Sequence, residues 1–100
     1  MKLIQNLIDD MYNGNTDAIL SGVSSSNDYL LINAIIAGTK QGINEGRFIE
    51  GLTSAQKSES VLLGFPIASI ATASLHLLQE KKYTGDDAIV KELLENKFDI

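Results

Sequence analysis

SVLLGFPIASIATASLHLLQ, residues 60–79, contains no Asp, Glu, Lys or Arg. About 20 apolar residues suffice to cross the hydrocarbon core of a membrane. The stretch is therefore either a membrane span or the interior of a water-soluble domain, and its polar atoms decide. Ser69, Thr72, His76 and Gln79 fall on one side of a helix with 3.6 residues per turn. Ile67, Ile70, Ala71, Ser74, Leu75 and Leu78 occupy most of the remaining circumference. A narrow wet edge beside a broad dry face fits a core helix, not a lipid-facing one.

Other helices can be placed around this one. Leu3, Leu7, Ile8 and Met11 keep helical spacing, and Asn13-Gly14-Asn15 ends that first helix, Leu3–Tyr12, in a turn. Asn15 or Thr16 caps a short second helix, Asp17–Gly22, and the loop Ser24–Asn27 supplies cap oxygens for a third. The third, Asp28–Gln41, is long and very apolar, with small Ala34, Ala37 and Gly38 for close helix approach and Gly42 as its left-handed stop. Asn44 is a candidate cap for a fourth helix near 46–52 that points Phe48, Ile49 and Leu52 inward. Thr53–Ser60 is polar and expected as loop. Pro66 opens the fifth helix, where its missing N–H is harmless, with Phe65 stapled back against it. Thr84 with Asp87 three residues on resembles a capping box for a last amphipathic helix, Asp86–Lys97. No strand-like alternation extends beyond a few residues. The expectation is an all-α fold of five to six helices in a single domain, residues 1–100.

Composition sets the function classes. The chain has 100 residues, 44% of them hydrophobic, enough for one core without staples. It has no cysteine, so disulfides and thiolate metal sites are excluded. The first residues lack the uninterrupted apolar run of a signal peptide, and a cytoplasmic location is expected. Thirteen acids against eight bases give a net charge of −5. With one arginine, Arg47, and lysines scattered apart from Lys81-Lys82, nucleic-acid binding is not expected. A basic protein partner is compatible with this charge.

Short helices near 17–22, 46–52 and 87–96 alternate with long ones near 28–41 and 66–79, whose starts lie 38 residues apart. In this respect the chain resembles HEAT-like α-α repeat proteins, whose units run about 40–47 residues. Phe48-Ile49 and Leu52 leading to Ile67, Ile70, Ala71, Ala73 and Leu75 carry the resemblance. Ala18-Ile19-Leu20 leading to Leu31, Ala34 and Ile35 would be the earlier copy. The resemblance implies stacked helical hairpins; an irregular helix bundle fits the same pattern.

No catalytic constellation is visible. The sole histidine, His76, has Glu80 four residues on, but no nucleophile motif accompanies it. Asp9-Asp10 and Asp86-Asp87 are adjacent pairs whose side chains diverge on a helix and lack the spacing of a calcium loop. No catalytic, metal or cofactor residue is assigned. What remains is surface: Asp9, Asp10, Tyr12, Tyr83, Asp86 and Asp87 are the candidate partner-binding residues, acids for charge and tyrosines as anchors. In size, charge and helical content the chain is similar to the small acidic bacterial immunity proteins. That similarity implies direct neutralisation of a basic cognate toxin. The alternative is a structural or adaptor module acting through homomeric contact, such as a homodimer, or through hetero-oligomers.

Overall fold

The computed structural model describes residues 4–62 and 64–99. Leu3, expected to begin the first helix, lies outside them. Six helices follow in order: α1 Ile4–Tyr12, α2 Thr16–Val23, α3 Asp28–Lys40, α4 Gly46–Ala55, α5 Ile67–Leu78 and α6 Ala88–Glu95. A two-stranded hairpin, β1 Val61–Leu62 and β2 Phe65–Pro66, stands immediately before α5. Among the described residues no helix is long and apolar enough to cross a membrane.

Local chemistry accounts for most helix ends. Asn15 accepts a hydrogen bond from the Ala18 N–H, and Asn27 accepts from Tyr29 and Leu30, each satisfying otherwise orphaned donors. Past α3, Gly42 sits at φ +69°; its N–H bonds the Thr39 carbonyl while Ile43 bonds that of Gly38. This is the Schellman closure that glycine makes easy.

The helices pack in two rows. α2 lies on α3 and α4 on α5, while α2 also touches α4 and α3 touches α5. α1 covers α2 and α3 at one end, and α6 covers α5 at the other. The result measures 42 × 24 × 22 Å. α3 and α5, at the centre, are buried on most sides; α1, α4 and α6 each bury one face. Phe48, Phe98, Met11, Ile19, Ile35, Leu52, Ile67 and Ile70 are fully enclosed.

Small residues set the spacing of the rows. A Cβ on Gly22 would meet the Ala34 methyl at 2.8 Å, and one on Gly51 would meet Val23 at 2.7 Å. Gly38 lies against the Phe48 ring, where a methyl would collide with it. Deep between α3 and α5, the hydroxyls of Thr39 and Ser74 share a hydrogen bond, so neither buried group is left unpaired.

Four expectations need correction. Residues 60–79 are not one rod: the chain pairs Val61 with Pro66 and Leu62 with Phe65, and helix begins only at Ile67. Gly64 at φ +83° favours the reversal, and Pro66, which cannot donate to a ladder, sits at an edge. Glu45, not Asn44, occupies the N-cap position of the fourth helix, without a side-chain cap hydrogen bond, and the helix runs to Ala55 because Leu52 and Ala55 continue its buried face. Asp87, not Thr84, caps α6. Finally, the polar edge of α5 is not wet along its length: Ser69 is buried, and Thr72 accepts a hydrogen bond from Gln56 of the segment after α4.

Candidate functional site

On the outer side of α3, Tyr29 and Asn33 stand one turn apart. The Asn33 side-chain amide donates to the Tyr29 carbonyl at 2.8 Å, which fixes its orientation. Its Oδ1 then accepts the Tyr12 hydroxyl at 2.9 Å, joining the last residue of α1 to α3. Partial burial, then the neighbouring Tyr29, push Tyr12 above the ordinary tyrosine ionisation range, so its phenol stays protonated as this donor. Both rings remain open to solvent, at 45% for Tyr12 and 44% for Tyr29.

The hairpin extends the same face. Phe65 and Leu62 come up beside Tyr29, Ile32 and Ile36, and together with Ile70 they border an apolar pit of about 150 Å³. Phe65, expected only as a staple, shares that pit with Ile70 while keeping 37% of its surface exposed, and Val61 is 61% exposed. Single exposed apolar residues are unremarkable, but aromatic side chains grouped around a pit make this face a candidate interaction surface. Asp9, one turn before Tyr12, adds an exposed acid to its edge, where it accepts from Gln5. Asp10 is half-buried on the same helix.

The other predicted residues lie elsewhere. Tyr83, Asp86 and Asp87 belong to the α5–α6 connection, beyond α5 from α1 in the packing order. There the Asp87 carboxylate accepts the Ser69 hydroxyl at 2.6 Å and the N–H groups of Ile89 and Val90. The Ser69 bond foremost, helped by the two amides, holds this carboxyl below its usual range against the opposing effect of burial, which exceeds that of either amide. Asp87 also donates its own N–H to the Tyr83 hydroxyl at 3.1 Å. Tyr83 folds over Gly85 and meets the edge of His76, ring centres 5.2 Å apart. Asp86 remains exposed. Tyr83 and Asp87 thus clasp the connection, with their polar atoms engaged inside the molecule.

His76 is held by the Lys81 carbonyl, 3.2 Å from its Nδ1, as well as by Tyr83. Among the described residues no three His, Asp or Glu side chains gather closely enough to hold a metal ion. A further groove, about 510 Å³, runs between the serine loop and α4, lined by Arg47, Glu50 and Ser54.

Comparison with protein-family models, curated proteins and solved structures returned no match. Function must therefore be argued from these surfaces alone.

Tyr29, Asn33, Val61 and Phe65 did not enter the predicted set. Tyr29 and Asn33 carried a signal, a polar and an aromatic residue one turn apart on an otherwise apolar helix. Phe65 and Val61 carried none, because only the hairpin turns them outward.

Proposed function

We propose that this chain is a non-enzymatic protein-binding protein of the acidic immunity or antitoxin kind, which neutralises a basic toxin by covering it. One observation carries the reading: Tyr12, Tyr29 and Phe65 stand exposed on a single face, with Asp9 at its edge. Tyrosine offers large contact area at low entropic cost and is favoured where binding energy concentrates. The acidic charge speeds encounter with a basic partner and disfavours nucleic acid. Asp9, Asp10 and Tyr12 contact the partner directly; exposed Asp86 provides a second acidic contact, on a loop whose shape Tyr83 and Asp87 hold. A cytoplasmic site of action goes with this reading.

The two stacked hairpins, α2–α3 and α4–α5, support a HEAT-like plan in which α1 and α6 close the ends. The same exposed apolar face supports the second reading, a module that pairs with its own copy. Sedimentation at micromolar concentration separates the two: a monomer favours the inhibitor.

The decisive experiment co-expresses the chain with the product of its neighbouring gene. The inhibitor reading predicts that this product arrests growth alone, that the chain restores growth, and that Tyr12→Ala with Tyr29→Ala abolishes the rescue. A harmless neighbour, or full rescue by the double variant, contradicts it.

A further inference from the structure

A groove of about 650 Å³ lies where the end of α5, the α5–α6 connection and the end of α6 meet. Lys81, Lys82, Lys91 and Lys97 line it, facing two acids, Glu80 and Glu95. Four of the eight basic side chains in the protein are therefore collected here, leaving four against eleven acids elsewhere. Leu77 and Leu94 add apolar lining to the groove, and the ring pair Tyr83 and His76 lines it as well.

A second feature marks the same place. Both helices end in Schellman closures: Lys81 N–H bonds the His76 carbonyl and Glu80 that of Leu77, while Phe98 bonds Leu93 and Lys97 bonds Leu94. Three residues there are left-handed: Glu80 at φ +54°, Lys97 at φ +53° and, next to Lys97, the buried Phe98 at φ +63°; α3 places Gly42 at the point equivalent to Glu80 and Lys97. A side chain is strained in that conformation, and strained residues concentrate at functional sites. Charged side chains stand where glycine would be easier, and both line the groove.

We propose that this groove binds a short acidic segment of a protein chain. Its carboxylates meet the four lysine ammonium groups, and an apolar side chain of the segment lies on Leu77 and Leu94. A long nucleic acid fits poorly: the groove contains no arginine, and a polyanion leaving it would cross the acidic remainder of the surface. The groove is opposite in sign to the aromatic face, so the proposal does not rest on the function proposed above.

The test uses the full chain and a fluorescein-labelled decapeptide in which pairs of Glu flank single Leu residues, followed by anisotropy. The expected result is saturable binding that weakens about tenfold or more between about 50 and 500 mM salt. It should be lost when Gln replaces every Glu of the peptide. Lys91→Glu with Lys97→Glu, both at exposed positions, should reduce affinity at least tenfold with an unchanged circular-dichroism spectrum. Two further variants separate binding from folding. Lys97→Gly should raise the melting temperature yet weaken binding severalfold, and Glu80→Gly should raise both. Equal binding of the Gln peptide, indifference to the lysine reversals, or tighter binding of a poly-dT oligonucleotide than of the acidic peptide would each overturn the proposal.

Discussion

On one side of α3, Ala34, Ile35, Gly38 and Thr39 are sealed against α2, the Phe48 ring and Ser74 of α5. On the other, Tyr29 and Asn33 face outward with Tyr12 attached, and the side chains of the hairpin complete an aromatic surface. The inner side is specified by volume, to the point that a single methyl is too much. The outer side holds large apolar groups in water, which folding alone does not require. One helix therefore separates what the fold needs from what a partner would need. Substitutions on its two sides should behave differently.

The largest effect is expected inside. Phe48→Ala removes a fully buried ring at the meeting point of α3 and α4 and should cost about 3–5 kcal/mol in denaturant unfolding. Gly38→Ala sharpens the same point by inverting a familiar sign. Alanine in a helix ordinarily gains up to about 1 kcal/mol over glycine. Here the added methyl would strike the Phe48 ring and approach Ile19 at 3.1 Å, so a net loss of about 1–3 kcal/mol is expected.

Asp87→Ala should follow at about 1–2 kcal/mol, because it removes the α6 cap and the Ser69 bond together. The carboxyl is held below its unfolded value of about 3.9, so its contribution is fully present above that pH. It is lost as the pH falls through the lower folded value. Wild-type stability should accordingly drop in that acid window by more than that of Asp87→Ala. Tyr12 gives the smallest effect, at the opposite end of the scale. Its ionisation is raised in the folded state, so any stability it contributes holds below about pH 10 and declines above it. Ultraviolet titration should show Tyr12 ionising later than a peptide tyrosine, and Tyr29→Phe should bring it part of the way back.

The helices were legible because each announces itself locally. Leu31, Ala34, Ile35 and Gly38 keep a 3.6-residue period, Asn15 and Asn27 cap within three residues of themselves, and Gly42 stops its helix unaided. The hairpin was not legible, since two-residue strands are too short for alternation to appear and their residues are as apolar as a helix. Asp87 caps through bonds as local as those of Asn15 and Asn27, from the N–H groups of Ile89 and Val90, so preferring Thr84 misreads a local pattern. The Ser69 bond, eighteen residues away, is what tertiary structure adds. Glu80 and Lys97 end their helices without the glycine that would have signalled a stop. Of the site, Tyr12 and Asp9 were visible as surface residues. Their union with Asn33, 21 residues on, and with Phe65 belongs to tertiary structure.

The most direct test of the account compares stability with binding for Tyr29→Ala combined with Phe65→Ala, by thermal melting and by calorimetric titration against the neighbouring gene product proposed as its partner. Both side chains are more than a third exposed. The account predicts at most about 1 kcal/mol of lost stability and an affinity loss of at least about 2 kcal/mol, some thirtyfold. Undiminished affinity in a variant that remains folded would contradict it.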